Sequence, residues 1–300
     1  MFNKVIVGDD GLDGGADALA LARALAPDAE LILASAYPWD ATPSRFMQLG
    51  YGNILRDDSE KALRKRRDEA GLSGTKALAI PDTSPARALH HLAEVEHADL
   101  IVTGTARHGA LGRMLLGDVS RDVLHGSPCP VAVAPRGFAG GRPATIGVAF
   151  DHSPEAERAL DVAIDLAGTM GARIELRQVV AADLLLAIGG YPILGMDDIG
   201  REMVDDARAR LEETIAKRGS DVPIEAQAVL GGTTDRLNEL ARDVDLVVCG
   251  SRGWGVVHRV VIGSTTDHLI HHSASPVLVV PRGADAADAG AAAATSTVKA

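Results

Sequence analysis

The chain is written twice, and that repeat limits its architecture more than any other feature. "ADLIVTGTARHG" at 98–109 matches "VDLVVCGSRGWG" at 244–255, and "LLGDVSRDVLHGSPCPVAVAPRG" at 115–137 matches "VIGSTTDHLIHHSASPVLVVPRG" at 261–283. Both matches keep an offset of 146 residues. Upstream, "KVIVGDDGLDGGADALALARALA" is similar to "TIGVAFDHSPEAERALDVAIDLA". An internal repeat of this length is a duplicated domain, and 300 residues suffice for about two ordinary domains with proper cores. The boundaries read as 1–138 and 144–283, joined by the short glycine-rich "GFAGGRPA" at 137–144. The stretch 284–300 is Ala-rich without an amphipathic period, and disorder is expected there.

Within each copy, short β-branched runs alternate with helical patterns. In the first, "KVIVGD" reads as a strand and 14–26 as a helix with Ala and Leu at helical spacing. "ELILASAY" is the second strand, followed by a charged helix over about 53–70. "TKALAI" comes third, then a helix opening at "SPARALHHL" with Ser84 as N-cap and Pro85 in its first turn. "DLIVTG" is the fourth strand, 117–125 a short helix, and "PVAVAP" the fifth strand. The second copy repeats this order. Apolar strands without alternation, separated by helices, indicate parallel sheets covered on both faces. The expected fold is therefore α/β: two tandem doubly wound domains, each a five-stranded parallel sheet of order 3-2-1-4-5 with helices on both faces.

Bulk chemistry narrows the function. Hydrophobic residues make up 46% of the chain and aromatics 3%, so the cores must be built from Ala, Val, Leu and Ile. A formal net charge of -11 argues against nonspecific binding to nucleic acid or to acidic membranes, which needs basic surface. An anionic small ligand is still allowed, because backbone amides supply local positive potential. Cys129 and Cys249 sit in apolar stretches and read as buried small residues rather than a disulfide. No charged-then-apolar leader precedes "MFNKVIVGDD", and no apolar run approaches the ~18 residues of a membrane span, so a cytoplasmic protein is expected.

In this architecture ligands sit beyond the carboxyl ends of the strands, where the strand order reverses. Strands one and four flank that crevice, the first carrying Asp10 or Asp151 and the fourth Gly104 or Gly250. "GSRGWGVVHRVVIGS" at 250–264 places Gly250, Gly253 and Gly263 there, followed by Ser264. Glycine permits positive φ and removes the Cβ that would keep a ligand oxygen from the main chain. "GSTTDHLIHHS" opens a helix, so Ser264, Thr265 and Thr266 hold the free amides of its N-terminus, where phosphate binds well. Hydrogen bonds to charged groups contribute about 1.5–3 kcal/mol each, and three or four support micromolar affinity after ordering costs. With 32 glycines in the chain, plain turn glycines are the competing reading.

The spacing Gly250-x2-Gly253-x9-Gly263-Ser264 resembles the ATP-binding signature of the universal stress protein family, and the resemblance spans both copies. The openings "VGDDG" and "VAFDHS" are also similar to that family's first strand, which ends in an acidic residue. The resemblance implies a tandem two-domain member. It places Asp151 against adenine, Val179 beside the base, and Gly250, Ser251, Gly253, Gly263 and Ser264 on ribose and phosphates. Arg252 and Arg259 are nearby cations able to assist with phosphate, or plain surface arginines. In the family the last strand of each domain pairs two domains together. "PVAVAP" and "PVLVVP" would then meet within one chain, or serve as ordinary buried strands.

The first copy is degenerate. The offset sets Gly104, Arg107, Gly117 and Asp118 against Gly250, Gly253, Gly263 and Ser264. A carboxylate about 4 Å from a phosphate charge costs on the order of 4 kcal/mol at an effective dielectric near 20. Arg107 could offset that repulsion, and a bridging Mg2+ could turn Asp118 into an asset. Asp10, Ala36, Gly104 and Gly117 remain, so a cleft is expected with weak or no ATP binding.

Other candidates carry less. His268, His271 and His272 have helical spacing, but no Cys or acidic ligand set accompanies them, and solvated helix histidines are the better reading. Adjacent carboxylates such as Asp9–Asp10 and Asp205–Asp206 do not converge on one site. "GDDGLDGG" resembles the pyrophosphate loop of adenylating enzymes but lacks its Ser-Gly-Gly core, and no nucleophile elbow or Walker lysine is present. The stretches "WDATPSRFMQLGYGN" and "LLLAIGGYPILGMDD" hold most of the aromatics, and read as a ligand cover, a partner surface or connecting loops. The sequence thus favours an ATP-binding stress-response regulator acting through conformation, with at most slow ATP hydrolysis and no catalytic residues assigned. The alternative is a scaffold of the same fold that binds no nucleotide. The protein partner is unspecified, and dimerisation of whole chains is open.

Overall fold

A computed structural model describes residues 1–39, 51–105, 118–181, 196–251 and 263–281. They form two compact units, one within residues 1–142 and the other within 143–251 and 263–281. Unit 1 runs β1 (Lys4–Gly8), α1 (Asp13–Leu25), β2 (Glu30–Tyr37), α2 (Tyr51–Glu69), β3 (Lys76–Pro81), α3 (Pro85–Glu96), β4 (Leu100–Gly104), α4 (Asp118–Leu124) and β5 (Val131–Ala134). Its strand order is β3-β2-β1-β4-β5, all parallel. Unit 2 runs β6 (Thr145–Ala149), α5 (Pro154–Met170), β7 (Arg173–Ala181), α6 (Met196–Arg218), β8 (Ile224–Gly231), α7 (Thr233–Asp243), β9 (Leu246–Gly250), α8 (Ser264–His272) and β10 (Val277–Val280). Its order, β8-β7-β6-β9-β10, is again parallel throughout. The sheet order 3-2-1-4-5 expected from the sequence is present in each.

The inner strands are apolar at consecutive positions because both of their faces are covered. Val5, Ile6 and Val7 are fully buried, as are Leu246, Val247 and Val248. In unit 2, Gly147 lies under Leu240 and Val244 at the α7 end, whereas Gly250, on the opposite face, lies under Glu155 of α5. Unit 1 repeats this, with Gly8 under Leu89 of α3 and Gly104 under Gly14 of α1.

Matching side chains set the registers of both copies. The carboxylate of Asp99 accepts from the amides of Asn3 and Lys4 at 2.7 and 2.9 Å, fixing the start of β1. Asp245 does the same for Ala144 and Thr145, both at 2.9 Å, at the start of β6. Ser84 caps α3 by accepting from the Arg87 amide at 3.3 Å, with Pro85 at the first turn as the sequence predicts. Ser153 caps α5 in the same way, accepting from the Ala156 amide at 3.2 Å. The turn after the first strand needs a left-handed residue. Unit 1 supplies Gly11 at φ 81°, and unit 2 supplies His152 at φ 60°. A side chain there costs about 1–2 kcal/mol. His152 offsets it with a 3.0 Å contact to Gln178 Oε1 and an edge-on ring contact with Phe150.

Candidate functional site

Beyond the carboxyl ends of β6 and β9, where the strand order reverses, unit 2 holds a cavity of about 300 Å³. Of the residues singled out from sequence, Asp151, Val179, Gly250 and Thr265 line it. Ser251, Gly263 and Ser264 do not: Ser251 is buried beside it and Ser264 is exposed. Arg252, Gly253 and Arg259 lie outside the described residues. At the same place unit 1 holds a cavity of about 120 Å³, lined by Asp10, Ala36 and Gly104. Gly117, Arg107 and the side chain of Asp118 lie outside the described residues, as do 284–300 and most of the two aromatic-bearing stretches. Ligand clefts commonly run to ~300–1,000 Å³, a range that the unit 2 cavity enters and the unit 1 cavity does not.

The reason for Gly250 differs from the sequence expectation. It does not adopt positive φ. A Cβ there would lie 2.6 Å from the Glu155 carbonyl carbon and 2.7 Å from the Glu155 Cβ. A Cβ on Gly104 would lie 2.0 Å from the carbonyl oxygen of Gly14. Both glycines are imposed by the first helix of their unit, which crosses the end of the fourth strand at backbone contact distance. Gly263 also has an ordinary φ of -67°, as the N-cap of α8.

Beside the unit 2 cavity stands the N-terminus of α8. Gly263 has no side chain to cap the helix, and no side-chain cap is made. α3 and α5 use serine caps, whereas α1 and α7 share the uncapped start of α8, so it is the position of α8 beside the cavity that counts. Thr266, which the sequence reading placed among the amides only, is 4% exposed and donates from Oγ1 to the Gly250 carbonyl at 3.1 Å. Ser120 makes the equivalent bond to Gly104 at 3.0 Å. That hydroxyl ties helix to strand in both copies, and its signal was the Ser/Thr match at the 146-residue offset. The Ser251 amide already donates to Val280 at 3.0 Å, while its buried hydroxyl finds no partner among the described residues.

Asp151 accepts from the Ser153 amide at 3.1 Å and from its hydroxyl at 2.5 Å, which holds the carboxylate at the cavity rim above the α5 cap. In unit 1, Asp10 accepts from the Leu12 amide at 3.0 Å. The preceding residue separates the copies. Phe150 is a buried ring lining the unit 2 cavity, whereas Asp9 is a buried carboxylate gripped by Arg66 Nε at 2.9 Å and by the Gly11 amide at 2.8 Å. Asp9 requires Gly15, whose Cβ would fall 1.8 Å from its Oδ1.

Arg177 was missed by the sequence reading. It lies on β7 in the cavity lining at 7% exposure, two residues before Val179 and on the same face. The strand "RIELRQVVA" holds three charged residues, Arg173, Glu175 and Arg177, so nothing in the sequence set Arg177 apart. Burial pushes the thiols of Cys129 and Cys249 up to about 12, so neither is a nucleophile at neutral pH. Among the described residues no group of three or more His, Cys, Asp and Glu is placed to hold a metal ion. None of their helices is long and apolar enough to cross a membrane.

Two copies of a doubly wound α/β unit, each with a crevice at its switch point, define a tandem two-domain protein of the doubly wound α/β class. The universal stress protein family model matches residues 1–135 and 144–281, and the chain belongs to that family. It is 30% identical over 188 residues to a universal stress protein of Mycobacterium tuberculosis (strain ATCC 25618 / H37Rv), a match covering 61% of each chain. The chain thus spans about three-fifths of the length of that mycobacterial relative. It is 33% identical over 135 residues to a universal stress protein of Thermus aquaticus, covering 44% of this chain and 97% of that one. The crystal structure of a universal stress protein from Archaeoglobus fulgidus DSM 4304 is similar in fold, with a TM-score of 0.68 at 21% identity over 94% of this chain and 97% of that one.

Proposed function

We propose that the chain is a cytoplasmic ATP-binding regulator of the stress response, in which unit 2 holds the nucleotide and acts through conformation rather than turnover. The working domains in this reading are 1–138 and 144–283. The observation that carries it is the α8 N-terminus, without a side-chain cap, beside a cavity lined by Thr265, Thr266, Asp151 and Val179. Asp151 and Val179 frame the base, and the segment from Gly250 to Ser264, with Ser251, Arg252 and Gly253, receives ribose and phosphates, with Mg2+ as an accompanying ion. Unit 1 has a smaller cavity and carries Asp118 where unit 2 carries Ser264, so it binds nucleotide weakly or not at all.

A second reading, a scaffold that binds no nucleotide, is favoured by two observations. The Ser251 amide is internally paired, and helix packing alone accounts for Gly250. Isothermal titration of the full chain with ATP separates the two. The regulator reading expects one site per chain, lost in Gly263→Val. No heat and no rise in melting temperature at millimolar ATP leaves the scaffold.

A further inference from the structure

The helix that follows the outermost strand forms part of the cavity wall in both units, but with different chemistry. In unit 1 that helix is α3, whose Pro85 and Leu89 line the cavity. In unit 2 it is α7, whose Thr233 and Leu237 do so at the same spacing. Pro85 has neither an N–H nor a polar side chain. Thr233 brings a hydroxyl to the corresponding place, as the first residue of α7 behind the uncapping Gly232. It is half-buried, and its hydroxyl makes no hydrogen bond among the described residues. The strand order β8-β7-β6 sets Thr233 and Asp151 on opposite sides of β7, each two residues beyond the end of its own strand. Neighbouring strands lie about 4.8 Å apart, so the ends of β8 and β6 stand roughly 10 Å from each other. Val179 lines the cavity on the strand between them.

We propose that Thr233 is a specificity-determining residue of the unit 2 site, its hydroxyl oxygen accepting from the exocyclic amino group of adenine. This rests on the reading that the cavity holds ATP with its base framed by Asp151 and Val179, and it names what selects the base. The amino group is the donor that adenine presents beside its ring acceptors, and it carries two N–H bonds. An ionised carboxylate only accepts, so Asp151 engages the base through one of them. The second N–H needs an acceptor on the far side of Val179, which is where Thr233 stands. Unit 1 keeps Asp10 on one side of its cavity but has Pro85 on the other, and so lacks the second acceptor.

The test is isothermal titration of the full chain with ATP and with purine riboside triphosphate, which lacks only the amino group, on the wild type and Thr233→Val. The wild type favours ATP about tenfold or more, and that preference falls about fivefold in the valine variant. Valine keeps the shape of threonine and removes only the hydroxyl. Thermal melting confirms that the variant is folded; if it is not, Thr233→Pro decides, because it copies Pro85 at a helix position that tolerates proline. An unchanged preference in the folded variant, or a wild type that binds both triphosphates alike, overturns the proposal while leaving the nucleotide reading standing. Binding of neither triphosphate overturns both.

Discussion

A single methyl group at Gly250 would have to share space with the Glu155 backbone. Gly250→Ala is therefore expected to cost about 1–3 kcal/mol by overpacking, with no ligand present. Gly104→Ala, whose Cβ would lie 2.0 Å from a carbonyl oxygen, is expected to cost at least as much. Thermal unfolding of the apo protein checks both, and unchanged stability would return these glycines to a ligand-facing role. His268 is a second residue with a readable consequence. Its pKa is lowered from 6.5 by burial first and by neighbouring His272 next, with His271 adding and Asp235 and Asp267 opposing. Asn238 Nδ2 lies 3.0 Å from its Nε2, and its ring stacks on His272 at 4.1 Å. The folded state thus binds fewer protons than the unfolded chain, so this contribution is full above about pH 6.5 and is lost as pH falls below it. His268→Gln should flatten the decline in melting temperature between about pH 7.5 and 5.5; an unaltered slope would show that other groups govern it.

α8 shows how an element is aimed. Its outer end has no side-chain cap, while Thr266 anchors its first turn to the last carbonyl of β9. Thr266→Val keeps the shape and leaves that carbonyl unmatched, at a cost of about 1–3 kcal/mol, whereas Thr266→Ser retains the bond. Denaturant unfolding compares the two; equal midpoints would mean the bond contributes nothing. The elements themselves were readable from sequence because their signals are local: uninterrupted β-branched runs, a Ser-Pro helix start, a 3.6-residue Ala/Leu period. The purposes of Gly250 and Arg177 were not, because each depends on a neighbour distant in the chain: Glu155 in α5 for one, Gln227 on β8 and the Arg236 carbonyl in α7 for the other. The location of the crevice was legible, since strand order alone fixes it. Its volume was not, since the space left between the strand ends and the helices above them is set by tertiary packing.

For the molecule as a whole, each unit contains its own reporter. Cys129 lies in unit 1 and Cys249 in unit 2, both buried with thiols near 12. Neither is expected to alkylate at pH 8 unless its unit opens. Time-resolved alkylation read by peptide mass spectrometry should then give two independent opening rates. With ATP at 100 times its dissociation constant, labelling of Cys249 is expected to slow about 100-fold while Cys129 keeps its rate. Equal protection of both thiols would place nucleotide in both units, and protection of neither would place it in none. The crossing of α1 over β4, and of α5 over β9, bears on how such chains are sorted. A bare residue at that crossing certifies that the opening helix is seated, and a copy that has abandoned its ligand must still keep it. Such a glycine therefore vouches for the scaffold alone, and tells nothing of whether the crevice beside it is filled.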